Sequence, residues 1–481
     1  MARLSRRKFL QTTVAASAAF STFTIAGTKS SGKVLGANDT IRIGVAGING
    51  RGGSHIDEWK KMKGVEITYL IDPDSRIYGK RTKPLEAEGF HKPTCVADIR
   101  HALEDKELDA VSIATPNHWH SLIAIWACQA GKDVYVEKPC SHNVHEGRVL
   151  VDTARKYDRI VQHGTQSRSG SEGAIAAAIA ASGKFGKLVV SRGLCYKPRA
   201  SIGFKQPSDP PAGLDFNIWL GPAPEQPYHG NLVHYNWHWF WDTGCGDIGN
   251  QGVHEIDKAR WAISGATLPK SVFSLGGRFG YEDQGQTPNT QMAVFDYGDT
   301  QLIFEVRGLT KDKPSFHGQQ VGNVYHYEGG VYAGGKFTPK DSDKPVALPK
   351  FDIKHGPGNG HFGNFIAAVR SHKKEDLNAE ILEGHYSAAL CHLANISYRL
   401  GEEVPFNPQT KAFGDNQEAY ETLARLEEHL ASNGVKLEAT KYRLGRKLAF
   451  DAASEKFVGD DQANALLTRK YRAPFVVPDK A

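Results

Sequence analysis

Between Asp39 and about residue 163 the chain repeats one unit: a short β-branched or aliphatic run, then a helical pattern of ten or more residues. "IRIGVAG" precedes a helix expected over residues 54–63, and "VEITYLID" precedes one over 75–88. "LDAVSIAT" leads into "HSLIAIWACQAG", "DVYVEKP" into "HEGRVLVDTARKY", and "RIVQHGT" closes the series. Parallel strands need crossover connections of this length, and the crossovers are right-handed. Near-continuous apolar strands fit burial on both faces. The fold class is therefore α/β, beginning with a Rossmann-type, doubly wound parallel sheet.

After Gln166 the texture changes. A helical stretch, "GSEGAIAAAIAASGKFG", leads into "KLVVSRGLCY"; later come "KSVFSLGGRFG", "QMAVFDYG" and "QLIFEVRG", with Gly-Asp at one turn. Such runs predict a second α/β domain with a large, open, mostly antiparallel sheet. Two late helices, near residues 362–371 and 381–400, are expected to return between the domains. At 481 residues two cores are the starting expectation. The division is residues 1–37, 38–165 for nucleotide binding, and 166–481 for substrate binding and self-association. The tail ending "YRAPFVVP" carries no pattern that places it.

Residues 1–37 are set apart by "SRRKFLQ" before the weakly apolar "TTVAASAAFSTFTIAG". This stretch is short and rich in Ser and Thr for a membrane span, and resembles a twin-arginine export signal read at Arg6 and Arg7. Cleavage would follow "VLG". A disordered basic terminus or a lipoprotein-like anchor is the alternative. Export makes the twin-arginine machinery a partner and the periplasm the destination. That route carries folded proteins, so Cys95, Cys128, Cys140, Cys195, Cys245 and Cys391, with no CxxC among them, are expected as free thiols. A formal charge of +6 is mild, and no basic patch is interleaved with aromatics. Nucleic acid is excluded as a partner.

"GVAGINGRGGSH" follows the first strand and opens a helix, the context of a dinucleotide fingerprint. Gly47, Ile48, Asn49, Gly50, Arg51 and Gly52 align on it, with Asn49 at the middle glycine, where asparagine tolerates left-handed geometry. Asp72 ends the second strand; a carboxylate there accepts the adenosine ribose hydroxyls and repels a 2′-phosphate, favouring NAD over NADP. Arg76 nearby leaves room for NADP. "TPNHWH" ends the next apolar strand, so Thr115, Asn117 and His120 should line the crevice. Glu137 and Lys138 leave another strand at that edge, and a partly desolvated lysine there can hold or relay a proton. A Glu137–Lys138 surface pair is the plainer alternative. "GCGDIGNQGVHEID" puts Asn250, His254 and Asp257 on one helix face. His254 suits a substrate hydroxyl; a zinc site is disfavoured because no second His or Cys has ligand spacing.

"GVAGINGRG", "TPNHWH", "VEKP", "GTQSR" and "GNQGVHEIDKARW", in this order over residues 40–407, resemble the Gfo/Idh/MocA oxidoreductases. The export-signal-bearing relatives with a long "HYNWHWFWDTG" segment look closest. The resemblance implies a Rossmann domain, a C-terminal α/β domain, bound NAD(H) or NADP(H), and sugar or polyol substrates. It implies Lys138 and His254 as catalytic residues. Asn250 is expected to join them, with Glu137, Lys138 and Gln166 at the cofactor and Lys138, Arg168, Asp247, Asn250 and His254 at the substrate. The family often has Asp where this chain has Asn250, and an amide cannot take a proton; either Asp247 or His254 substitutes, or the reaction differs.

The resulting expectation is an exported NAD-dependent oxidoreductase of a sugar or polyol hydroxyl, with a tightly bound, recycling cofactor and no metal. It is expected to form a homo-oligomer through the C-terminal sheet. A redox-neutral NAD-dependent glycoside hydrolase or lyase, and a sugar- or nucleotide-binding relative without chemistry, are the alternatives.

Overall fold

The computed structural model describes residues 39–309, 311–406 and 411–481, so the export-signal expectation lies outside the described residues. Six parallel strands form the first sheet: β1 (Ile41–Ala46), β2 (Val65–Ile71), β3 (Thr94–Val96), β4 (Ala110–Ile113), β5 (Asp133–Val136) and β6 (Val161–His163). Their order is β3-β2-β1-β4-β5-β6. The order reverses between β1 and β4, where a crevice opens beyond the strand ends. Register keeps those ends level: Ala46 pairs with Ile71 on one side and Ile113 on the other. Gly47, Asp72 and Ala114 therefore emerge side by side.

The first helix spans Arg51–Trp59, three residues earlier than the periodicity suggested. It starts at the glycine motif because that turn is tight. Gly47 takes φ +78°, and a Cβ there would lie 2.6 Å from the Ala114 carbonyl oxygen; one at Gly52 would lie 1.8 Å from that of Gly47. Both positions require glycine.

The second sheet contains β7 (Leu188–Cys195), β8 (Ser271–Gly277), β9 (Thr290–Asp296), β10 (Gln301–Arg307), β11 (Val321–Tyr327), β12 (Gly330–Ala333) and β13 (Lys336–Pro339). β14 (Glu402–Pro405), β15 (Lys441–Leu444), β16 (Leu448–Asp451) and β17 (Lys456–Phe457) complete it. Its main path runs β13-β12-β11-β7-β10-β9-β8-β15-β14, antiparallel except for β7 with β10. One face packs on the helices Gly252–Trp261 and Ile381–Arg399. On the other, Phe273, Leu275 and Met292 are covered by Leu423, Leu426 and Leu430 of the helix Gln417–Ser432. A second copy joining through this sheet would meet that helix over β8 and β9.

Two returns tie the domains together. Phe365, Ala368 and Val369 of the helix Gly360–Ser371 enter the Rossmann core, as do Ile381 and Ala388 of the next helix. The unplaced tail does the same: Phe475 and Val477 are buried there, with the Phe475 ring edge-on to Trp119 at 5.4 Å. All six cysteines are free; Cys95 is partly exposed and the others buried.

Candidate functional site

A cleft of about 300 Å³ runs along the strand ends at the point where the sheet order reverses. At one end lies the glycine turn. Gly50 is the N-cap of the helix Arg51–Trp59, with no side chain capping it, so the helix's first N–H groups remain for an anion. Asn49 has no left-handed backbone, contrary to expectation. The bare approach comes one residue later, at Gly50, where a Cβ would meet nothing within 4 Å. Ile48 is buried beneath the turn. The turn is held from outside by Arg81, whose guanidinium donates to the carbonyls of Ile48 (2.7 Å) and Asn49.

Asp72 lines the cleft beside this turn. Its carboxylate accepts from the Ile48 and Asp74 backbone N–H groups, each at 3.0 Å. Burial pushes its pKa up to about 6, and those two bonds work the other way. Lone pairs remain for two further donors. Arg76 is engaged by Asp74, its Nε donating at 2.7 Å and its terminal nitrogen at 2.6 Å.

Thr115 and Asn117 also line the cleft. The Thr115 hydroxyl and the Asn117 side-chain oxygen are buried with no hydrogen-bond partner. Buried polar atoms are rarely left so. With the uncapped helix start and the glycine cradle, they fit a dinucleotide. His120 lines the cleft as expected, with its nitrogens 2.7 Å from the Pro139 carbonyl and 2.8 Å from that of Thr115. It ties two loops together and offers no free nitrogen to a ligand.

Glu137 is buried beneath the cleft, not a surface partner of Lys138. It accepts from Arg51 Nε (2.7 Å), His55 Nε2 (3.0 Å) and Gln166 Nε2 (3.2 Å). Burial opposes its charge, but the hydrogen bond from His55 and the positive charges of Arg51 and Lys138 hold its carboxyl well below the usual range. His55 is backed by the Ser112 hydroxyl at 2.8 Å, and Trp59 Nε1 donates to that hydroxyl at 3.0 Å. Nothing local in the sequence marked His55, Ser112 or Arg81.

Lys138 follows on the rim. Its Nζ donates to the backbone carbonyl of Asn250 at 2.6 Å. Burial lowers its pKa, with the Glu137 carboxylate pulling the other way. Both Lys138 and Asn250 line the cleft. His254, half-buried on the helix Gly252–Trp261, feels Lys138 as well; burial first, then that positive charge, lowers its pKa to about 3. It is a neutral imidazole.

Two expected substrate residues are engaged elsewhere. Arg168 donates three hydrogen bonds to Asp257 at 2.9–3.1 Å and one to Glu383 at 3.1 Å. Asp247 accepts from Arg199 at 2.7 and 2.6 Å and is 1% exposed, so it cannot stand in for an acid at position 250. Among the described residues, no three His, Cys, Asp or Glu gather as metal ligands.

Residues 196–245, between β7 and the helix Gly246–Asn250, form a roof with its own small core of Leu214, Trp219, Leu232, Trp237 and Phe240. Trp119 Nε1 donates to the Trp219 carbonyl at 3.0 Å, Asp215 N to that of Pro73 at 2.9 Å, and His234 Nε2 meets Asp74 at 2.8 Å. Roof residues Trp219, His234, Tyr235, Trp237 and His238 thus line the same cleft as Gly47 and Asp72. The aromatic segment was visible in the sequence; its place over the nucleotide site was not.

Among solved structures, the WlbA dehydrogenase from Bordetella pertussis, in complex with NADH and UDP-GlcNAcA, is similar: 17% identical, TM-score 0.54, covering 75% of this chain and 97% of that one. Levoglucosan dehydrogenase in complex with NADH is similar at 16% identity and TM-score 0.53, covering 74% and 97%. In sequence, a glycosyl hydrolase family 109 protein of Shewanella pealeana is 30% identical over 171 residues, 32% of this chain and 38% of that protein. The match thus spans well under half of that relative. Residues 41–165 match the model of an oxidoreductase family with an NAD-binding Rossmann fold, and residues 202–431 that of an oxidoreductase C-terminal alpha/beta domain. The chain belongs to the Gfo/Idh/MocA oxidoreductase family.

Proposed function

We propose that the protein is an exported oxidoreductase that acts on a hydroxyl of a sugar or polyol and keeps its NAD bound between turnovers. The observation that carries the reading is a depressed, cleft-lining lysine placed beside a dinucleotide cradle. Gly47 to Gly52, Asp72, Thr115 and Asn117 would hold the dinucleotide. Bound there, NAD supplies a hydride acceptor for the carbon of a secondary alcohol. Lys138 takes the hydroxyl proton as its neutral amine, and the Asn250 carbonyl fixes the direction of its Nζ. Neutral His254 accepts from the substrate and orients it. The likeness to dehydrogenases bound to NADH supports this fold for the task. The long roof and the reading of Arg6 and Arg7 as an export pair support retention, since free NAD is scarce outside the cytoplasm.

The test is incubation with a panel of sugars, polyols and glycosides, with products resolved by mass. Loss of two hydrogen atoms from one of them is expected. The likeness to glycosyl hydrolase family 109 favours a second reading: transient oxidation that acidifies a neighbouring C–H and expels the glycosidic oxygen. Release of an aglycone without net NADH would select it. Cell fractionation with Arg6 and Arg7 replaced by lysine tests the twin-arginine route: the variant should stay in the cytoplasm. Periplasmic protein from it would mean another export route and remove the argument for a cofactor bound before export.

Asp72 reads the ribose in this scheme, and Arg76, held by Asp74, is not free for a 2′-phosphate. NAD affinity should therefore fall as pH drops through about 6, where Asp72 takes up a proton. Asp72→Asn should bind about tenfold more weakly at neutral pH and lose that dependence. Equal pH profiles in calorimetry would refute the assignment.

Retention has its own test. His234, on the roof, pairs with buried Asp74 beside the nucleotide site. Removing this charge-assisted contact with His234→Ala should speed NADH release about tenfold, read by stopped-flow fluorescence. An unchanged release rate would show that the roof is not the clasp.

A further inference from the structure

We infer that His238, on the roof, is a substrate-binding residue: its Nε2 accepts a hydrogen bond from a substrate hydroxyl next to the one served by Lys138. This rests on the sugar or polyol reading above. His238 Nδ1 lies 2.5 Å from the Tyr235 carbonyl oxygen, which can only accept, so Nδ1 carries the hydrogen. The ring is stacked on Trp237, centroids 3.6 Å apart and planes at 19°, which fixes its plane. Gly244 packs against its backbone so closely that a Cβ there would lie 2.5 Å from His238 Cα.

Burial, with the positive charges of Lys138 and Arg199, lowers the imidazole pKa to about 3. A neutral ring donating at Nδ1 has a lone pair at Nε2. His238 lines the cleft with Lys138 and Asn250 and is 9% exposed, and among the described residues no group donates to Nε2. An acceptor so placed is open to a hydroxyl or amine of a ligand in the cleft. The cleft already asks one hydroxyl to face Lys138, so a second, adjacent hydroxyl makes a vicinal diol the recognised unit. His238 also answers what Asn250 and Asp247 leave open: recognition at this end of the cleft comes from a neutral imidazole rather than a carboxylate.

The test compares the parent with His238→Asn and His238→Gln. The asparagine amide can still donate to the Tyr235 carbonyl but has nothing where Nε2 stood; glutamine places an amide oxygen near that site. His238→Asn should raise KM for the diol substrate about 10–100-fold with a smaller change in kcat, and leave bound NADH unchanged. His238→Gln should recover part of the loss. A monodeoxy analogue lacking the neighbouring hydroxyl should bind parent and His238→Asn alike, with binding read by quenching of bound NADH. Parent-like KM in His238→Asn, or equal losses for diol and deoxy analogue, would overturn the inference while the sugar reading stands. If the parent itself neither binds nor converts any diol in the panel, the sugar reading fails and takes this inference with it.

Discussion

Lys138→Ala loses about 10²–10⁴-fold in turnover while its melting and NADH content stay near those of the parent. The expectation follows from where the side chain sits. Its Nζ has a single backbone acceptor, the Asn250 carbonyl, and no carboxylate within hydrogen-bonding distance, so little folding energy depends on it. Its value lies in its protonation. Burial lowers the pKa from the usual lysine value, so the neutral, proton-accepting form becomes available nearer to neutral pH. Oxidation should accordingly speed up as pH rises toward that lowered pKa and level off above it. Asn250→Asp would add a carboxylate to the cleft that Lys138 lines, favour the ammonium form, and move the whole rise to higher pH. Near-parental turnover in Lys138→Ala, measured by NADH absorbance against the best panel substrate, would leave a nucleotide-binding protein without this chemistry.

The parallel sheet was legible because its evidence is local and repeated: each strand run stands beside its own crossover helix. Gly47 and Gly52 were legible for the same reason, since a strand-to-helix turn this tight excludes side chains at fixed offsets. Lys138 at the end of β5 and Asp72 after β2 came from counting along strands. The partners of these residues were not legible. Arg81 reaches the Asn49 carbonyl from 32 positions away, and His234 reaches Asp74 from 160. A pattern read along the chain cannot encode a contact made across it. Arg168 shows the cost of that limit: beside a motif it looked like a substrate group, but Asp257 and Glu383, brought in by two other helices, already satisfy it. The tail was opaque for a related reason. "YRAPFVVP" has no period, because Phe475 fills a gap that exists only once the helix Asn117–Gln129 is packed.

That buried network yields the opposite mutational signature from Lys138. Asp257 is fully buried, Arg260 is 2% exposed and Arg168 is 6% exposed. Besides Arg168, Asp257 accepts from the Ser387 hydroxyl at 2.6 Å and lies 3.8 Å from Arg260. Burial penalises its charge, but Arg168 and Arg260 outweigh that and hold its pKa below the ordinary value. Asp257→Ala leaves two buried guanidinium groups sharing Glu383, and removing one partner of such a cluster costs about 3–5 kcal/mol. Denaturant midpoints should drop accordingly, while Asp257→Asn, which keeps an acceptor, should lose less. The sign with pH follows from the depressed pKa. The stabilisation is present above the unfolded carboxyl's value, near 3.8, and disappears as pH falls through the lower folded value. The deficit of Asp257→Ala should therefore be full at neutral pH and shrink in acid. Because the helix Gly252–Trp261 carries His254 one turn before Asp257, the variant should also weaken substrate binding before it touches NADH content. A stability loss under 1 kcal/mol, independent of pH, would mean that the network is not what seats this helix at the site.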